Sequence, residues 1–215
     1  MSTYRRPPID APVFRDTDGR VIDYGNRWFD HPPEETYSVV THPDRFAPLH
    51  AIGDALIAHL QENYDVETDE GEETALDLLT SARAEVVRAV RIRPNDPACA
   101  SLTFVFTAFP GIFLHAGLLH DFHLPVCGCD ACDSTWSEEA DALEHLVLAV
   151  AAGQYREGLG QDSHSWVDFA VTYPGGASSG WSNAQDIPVE RLRAAQPLLR
   201  TVSDGWAAWP RRTSA

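Results

Sequence analysis

Apolar residues recur with helical spacing between residues 41 and 64. They stand three or four positions apart, which places them on one face of an α-helix. Thr41 and Pro43 favour the start of a helix, the first as a cap and the second in the first turn. The pattern therefore predicts a helix that ends near residue 64. Its apolar face consists of Leu49, Ile52, Leu56, Leu60 and Tyr64.

Two more helices are predicted in the second half of the chain. Thr135 and Glu138 have the spacing of a capping box, which marks the start of a helix. An apolar stripe then continues to about Gln154, formed by Leu143, Leu146, Val147 and Val150. A last helix is expected to open at Pro188 and to bend or stop near Pro197, because proline interrupts helical hydrogen bonding.

Strict alternation predicts strands in the middle of the chain. Residues 102–107 alternate with a period of two, Pro110-Gly111 turns the chain, and residues 112–118 return as the second strand of a β-hairpin. If Phe109 pairs with Ile112, Cys99 lies opposite Phe122. Residues 85–93 and 166–173 are also predicted as strands. The acidic segment 65–73 and the glycine- and serine-rich segment 174–183 are predicted as exposed loops.

These elements predict the fold class and the division of the chain. We expect an α+β fold with an antiparallel sheet and three main helices, because strands and helices do not alternate as in a doubly wound fold. Residues 1–36 have no persistent period and are expected to form an extended N-terminal arm. Residues 37–215 are expected to form a single α+β domain. A content of 44% apolar residues supplies enough material for its core.

The charge of the chain makes nucleic acid an unsuitable partner. There are 32 acidic and 16 basic residues, so the net charge is −16. Such a chain repels phosphate groups, and binding to them needs a larger basic footprint. The arginines at positions 83, 88, 91 and 93 are interpreted as one basic face of a strand.

Location in the cytoplasm is expected from two segments. No apolar run follows Arg5 and Arg6, so a secretory signal is not indicated. Residues 99–119 carry no formal charge over the length of a membrane span, but Pro110-Gly111 cuts this stretch in the middle. A hairpin explains it better than a membrane helix, and no membrane partner is expected.

Specific chemistry is concentrated in Cys127, Cys129 and Cys132. Their C-x-C-x-x-C spacing packs three soft ligands into six residues, and the glycine at position 128 lets the backbone turn tightly. Thiolates bind zinc with tetrahedral geometry, and four ligands close a structural site. Disulfides are disfavoured in the cytoplasm. The cysteines therefore predict a zinc site, with a thiol redox pair or inert thiols as alternatives.

The fourth ligand is predicted to be His123, four residues before Cys127, because imidazole commonly completes three-thiolate sites. Cys99, Asp133 or water could take its place. A zinc deaminase would also need a His-x-Glu motif, which neither His115 nor His120 begins.

The zinc site predicts a scaffold or binding protein whose partner is another protein or a small molecule. Two alternatives remain open at this point. A metal-dependent hydrolase would place a zinc-bound water beside His115, His120 or Asp121. A redox sensor would use the thiols without a metal. No residue is assigned a catalytic role, and enzymatic activity stays undecided.

Three segments together resemble a known family. They are residues 37–46, Phe109-Pro-Gly111 and the heptapeptide from Cys127 to Asp133. The chain is similar over residues 37–160 to an actinobacterial family of unknown function with a C-G-C-D-A-C-D motif. The resemblance implies no activity. It implies that Cys127, Cys129 and Cys132 are the positions that matter in the family.

Overall fold

Two antiparallel sheets form the framework of the protein. The computed structural model describes residues 3–79, 85–160 and 166–213. The first sheet has five strands in sequence order, and the second has three, also in sequence order. The strands of the first sheet are β1 (Val66–Glu70), β2 (Val86–Pro94), β3 (Leu102–Thr107), β4 (Gly111–Ala116) and β5 (His120–Leu124); those of the second are β6 (Tyr155–Leu159), β7 (Trp166–Tyr173) and β8 (Gly176–Asn183).

Three α-helices among the described residues complete the predicted α+β fold. They are α1 (Pro48–Asn63), α2 (Trp136–Ala151) and α3 (Val189–Thr201). Both sides of the capping box form at α2, because the Thr135 hydroxyl accepts from the Glu138 N–H while the Glu138 carboxylate accepts from the Thr135 N–H. Helix α3 begins where expected, and of the two alternatives at Pro197, a bend or a stop, the stop is excluded because the helix continues through Pro197.

Both faces of the five-stranded sheet are covered. Leu102, Phe104 and Phe106 of β3 belong to the main core, which also includes the apolar faces of α1 and α2. Val105 points the other way and packs with Ala89 and Leu78. The short helical segment Glu72–Asp77 covers this second face. All six residues of β3 are therefore buried, including its threonines.

The acidic segment 65–73 is not the predicted loop. Residues 66–70 form the edge strand β1, which pairs with β2. Glu67 and Asp69 stand opposite Arg93 and Arg91, and Arg93 contacts both carboxylates at 3.4 and 3.0 Å. Opposite charges across the strands offset the poor strand propensity of these acidic residues. Arg91 and Arg93 share one face of β2, as the interpretation of a basic strand face requires. Arg88 lies on the other face, where it packs over Phe106 and pairs with Asp54, and position 83 lies outside the described residues.

The second predicted loop also contains a strand. Residues 176–183 form β8, which pairs with β7 over its whole length and leaves the turn at Pro174-Gly175 between them. Its serines and glycines carry no apolar alternation, so its strand structure depends on β7 rather than on local preference. Strands β5 and β6 were not predicted either.

The uncharged stretch 99–119 contains the hairpin β3–β4, as predicted. Among the described residues, no helix has both the length and the apolar character that crossing a membrane requires. The register differs from the one expected, because Thr107 pairs with Gly111 and Leu102 with Ala116. Cys99 precedes β3, and its thiol donates to the carbonyl of Ala208 in the C-terminal segment. It therefore lies at the end of the hairpin away from its turn.

Candidate metal centre

The three cysteines lie in the connection between β5 and α2, residues 125–135, here called the cysteine loop. Gly128 is required in it by close packing, since a Cβ at this position would stand 2.5 Å from the Phe109 ring. Asp133 adopts a left-handed backbone conformation with φ of 54°, which aspartate tolerates better than most residues. Close packing thus constrains the start of the C-x-C-x-x-C segment, and a left-handed residue directly follows its end.

The sulfur atoms converge on one point. Cys127 Sγ lies 3.3 Å from Cys129 Sγ, which lies 3.4 Å from Cys132 Sγ. All three lie within 4.8 Å of one another. Three thiolates bound to one zinc ion at about 2.3 Å and tetrahedral angles would be about 3.8 Å apart. Small movements of the side chains would therefore suffice to hold such an ion.

Arg45 fixes the cysteine loop from beneath. Its guanidinium is 3% exposed and donates to the carbonyl oxygens of Gly128 and Cys129 at 2.9 and 3.3 Å. It also contacts the Asp130 carboxylate at 3.4 Å and lies over the ring of Tyr24. A rigid guanidinium that bonds several carbonyls at once sets the backbone path that brings the sulfurs together.

The N-terminal arm supplies a second arginine to the loop. Arg27 pairs with the Asp133 carboxylate, which also accepts from the Arg27 backbone N–H at 2.9 Å. Arg27 and Trp28 both donate to the carbonyl of Asp130. Through these contacts the arm forms one wall of the candidate site.

Residues 36–41 close the other side of the loop. The Asp130 N–H donates to Val39 O at 2.7 Å, and the Ala131 N–H donates to Thr36 O at 3.1 Å. The buried Asp130 carboxylate accepts from the backbone N–H and the hydroxyl of Thr41. Every polar group of the turn around Asp130 thus has a partner, which favours one fixed loop conformation.

The pKa values of the Cys129 and Cys132 thiols differ. Burial disfavours the Cys129 thiolate, but hydrogen bonds from Cys127 and Cys132 outweigh this and lower the pKa of Cys129 to about 7. Hydrogen bonds with Cys127 and Cys129, together with burial, raise the pKa of Cys132 to about 12. Of these two residues, Cys129 is therefore the one that ionises more readily, as a metal ligand must.

His123 does not join the three sulfurs. It is exposed on β5 opposite Phe113, and its imidazole packs against the Phe113 ring with centroids 4.2 Å apart. The group of ligand atoms that lie within 4.8 Å of one another contains the three sulfurs and not His123. To bind the same ion, the imidazole would have to leave Phe113.

The other candidates for the fourth ligand are engaged elsewhere. Asp133 is paired with Arg27. Cys99 is buried beside Ala208, and burial raises its pKa to about 11, which opposes formation of a thiolate.

The groups that a catalytic zinc would need are not at the cluster. The Asp121 carboxylate accepts from the Leu79 N–H and lies 2.7 Å from His115 Nδ1. His120 is buried beside Glu157, with 3.4 Å between its Nδ1 and the carboxylate. None of these three residues belongs to the group that the sulfurs form.

Sequence patterns identified the cysteines and missed the residues that hold them. Arg27, Arg45 and Asp130 carry no motif, and the arginines are 103 and 85 positions away from Asp130. The segment 37–46, which contributed to the family resemblance, includes Arg45. This resemblance was the only signal in the sequence that pointed to Arg45.

Comparison with known proteins places the chain in a family without supplying an activity. Residues 10–213 match the family described as "Family of unknown function (DUF6226)". The match begins inside the N-terminal arm and is longer than the segment on which the resemblance rested. Neither the curated proteins nor the solved structures contain a match.

Proposed function

The chain belongs to DUF6226, a family of unknown function, and we propose from its site that it is a scaffold or binding protein stabilised by one structural zinc ion. The convergence of the three sulfurs carries this proposal. Spacings of 3.3 and 3.4 Å lie close to those of zinc thiolates, and two arginines hold the loop in place before any ion binds.

The structural role follows from what the cysteine loop connects. The loop joins β5 to α2, and it contacts the arm through Arg27 and the segment before α1 through Arg45. An ion that fixes the loop would hold these four parts of the chain together. Its binding free energy would then add to the free energy of folding.

The fourth position is proposed for His123, with water as the alternative. Rotation of the imidazole away from Phe113 would close the site with four protein ligands, as in structural zinc sites. Substitution His123→Ala distinguishes the two cases. A drop in zinc affinity of at least tenfold supports His123, and an unchanged affinity supports water.

Metal content tests the zinc proposal directly. We expect purified protein to contain about one zinc ion per chain by plasma mass spectrometry. Cys129→Ser should lose it, while Cys99→Ser should retain it, because Cys99 is a buried thiol remote from the cluster. Absence of stoichiometric metal from the wild-type protein overturns the proposal, as does equal loss from both variants.

Thiol redox chemistry is the second candidate, favoured by the short distance between Cys129 and Cys132. A disulfide would require the sulfurs to approach from 3.4 Å to about 2.05 Å. Treatment with diamide followed by mass spectrometry separates the two functions. A structural zinc site predicts no disulfide while the metal is bound, whereas a sensor predicts rapid and reversible formation of one.

We propose that the protein acts in the cytoplasm, where thiols are kept reduced and available to a metal. All four cysteines are free thiols in the structure, which agrees with this assignment.

A further inference from the structure

An apolar cavity of about 460 Å³, open to solvent on one side, lies between β5, α2 and β7. This volume falls within the range of roughly 300–1,000 Å³ that is typical of small-molecule sites. Its position follows from the fold, because β5 is the edge of the first sheet and faces the second sheet there. The walls are apolar and include Phe122, Leu124, Leu146, Phe169 and Val171.

The apolar wall has the form of an aromatic slot. Phe122 and Phe169 meet edge to face, with centroids 4.9 Å apart and an angle of 84° between their planes. Phe122 extends from the first sheet and Phe169 from the second, so the cavity is formed only when both sheets pack together. Flat rings bind well against such a pair, because offset and edge contacts complement the charge distribution of aromatic rings.

Hydrogen-bond donors gather at one end of the cavity. His145 of α2 stacks on Tyr173 of β7, with centroids 4.3 Å apart and an angle of 6°. Ser178 of β8 adds a hydroxyl. The imidazole of His145 makes no hydrogen bond to any other residue in the described ranges, so its ring nitrogens remain free for a ligand.

The one carboxylate in the wall is already paired. Asp121 accepts from the N–H of Leu79 at 2.8 Å through one oxygen, and its other oxygen lies 2.7 Å from His115 Nδ1. The groups that remain at the polar end are an imidazole, a phenol and a hydroxyl, each of which can donate. A ligand carboxylate can accept from these groups through its two oxygens.

We propose that this cavity binds a small aromatic carboxylate. The aromatic body lies against Phe122 and Phe169, and the carboxylate accepts hydrogen bonds from His145 and Tyr173. The proposed contacts involve none of the three cysteines, and His123, proposed above as the fourth zinc ligand, lines the cavity without contacting the carboxylate in this arrangement. Failure of either proposal leaves the other to be judged by its own measurement.

2-Naphthoate is the probe for the test, with 2-acetonaphthone as a neutral molecule of the same shape. We expect the metal-loaded full-length protein to bind 2-naphthoate in isothermal titration calorimetry with a Kd on the order of 10–100 µM. The neutral ketone should bind at least tenfold more weakly. Absence of saturable binding up to about 1 mM overturns the proposal.

Two variants locate the binding site. Ser178→Trp fills the cavity from its exposed rim and should abolish binding. Ser182→Trp places the same side chain on the same face of β8, four residues away and outside the cavity, and should leave the Kd within twofold. Equal effects of the two substitutions would show that the probe binds elsewhere.

His145→Phe tests the recognition of the acid. The new ring can keep the stacking on Tyr173 but has no nitrogen to donate. We expect it to weaken binding of 2-naphthoate about tenfold and to leave binding of 2-acetonaphthone unchanged. If both probes lose affinity equally, the imidazole does not donate a hydrogen bond to the carboxylate, and the assignment of ligand class is wrong.

Discussion

At the scale of single residues, buried arginines and their carboxylate partners keep the candidate metal centre in one conformation. Arg45 bonds two carbonyls of the cysteine loop and contacts Asp130, whose carboxylate is itself buried. Arg27 does the same for Asp133. Such pairs are costly to break on one side, because the remaining charge stays buried without a partner. Conformational order of the loop therefore depends on residues that touch no sulfur.

Arg45→Met should destabilise the protein by about 3 kcal/mol, because it removes the closest cation from Asp130 and a donor from two carbonyl oxygens. Urea denaturation measures this loss, and a chelator competition assay should show weaker zinc binding. Arg93→Met is the matched control. Arg93 is half exposed and its pairs with Glu67 and Asp69 lie at the surface, so its loss should cost under about 1 kcal/mol. Equal losses would contradict the role assigned to Arg45.

Asp77 gives the protein a stability that depends on pH. Burial alone would raise its pKa, but hydrogen bonds from Arg91 and Thr103 outweigh this and lower the pKa below its ordinary value of 3.8. The folded state therefore favours the ionised carboxylate. Its contribution is complete above the ordinary value and is lost as the pH falls through the lowered pKa.

Asp77→Asn should cost about 1–2 kcal/mol at pH 7, and the difference from wild type should begin to shrink as the pH falls below 3.8 and vanish below the lowered pKa of Asp77. Urea denaturation at a series of pH values measures both stabilities. Asp69→Asn serves as the control, because Asp69 is 46% exposed and should show little difference at any pH. A deficit of the Asp77 variant that persists undiminished at pH 3 would attribute it to packing rather than to charge.

At the scale of elements, the turn between β4 and β5 is fixed by its close contact with one buried side chain, Glu157. Gly117, between β4 and β5, has a φ of 68°, and a Cβ there would stand 1.6 Å from the Glu157 carboxylate. That carboxylate accepts from the N–H groups of Leu118 and Leu119 and from the Trp206 indole. The turn is therefore tied to β6 and to the C-terminal segment through one buried side chain.

Gly117→Ala should be far more destabilising than Gly175→Ala. Both glycines are left-handed, but the structure has nothing within 4 Å of a Cβ at Gly175. The Gly175 variant should cost about 1–2 kcal/mol for conformation alone. The Gly117 variant should cost at least about 2 kcal/mol more, because Glu157 must give up its hydrogen bonds. Thermal denaturation ranks the two, and similar losses would mean that the Glu157 contact relaxes at little cost.

The whole molecule is held together at the cysteine loop and in the core that both sheets share. The main core contains residues of all three helices and of both sheets. The loop adds contacts to the N-terminal arm, whose match to the family starts at residue 10. On the zinc proposal, removal of the ion should therefore loosen the arm before it unfolds the core.

Limited trypsin digestion should detect this loosening. Addition of a zinc chelator should speed cleavage after Arg27 about tenfold, which corresponds to about 1.4 kcal/mol of local stability. Cleavage after Arg20 is the internal control, since its side chain is 80% exposed and makes no contact with the cysteine loop. Acceleration at both sites would indicate general unfolding of the arm, and no acceleration at either would show that the metal does not hold it.

Local signals in the sequence determined the parts of the protein that form over short distances. The period of α1, the capping box of α2 and the alternation of β3 each arise within a few residues, and the structure confirms all three. The three cysteines are brought close for the same reason, because they lie within six residues of one another.

Tertiary structure decided what depends on distant partners. The acidic segment became β1 because arginines of β2 stand opposite it, and β8 formed because β7 offers it a complete edge. His123 packs on Phe113 because strand pairing places those two residues side by side. Neither the periodicity nor the spacing of residues encodes such long-range contacts. These contacts depend on which surfaces pack together after the local elements have formed.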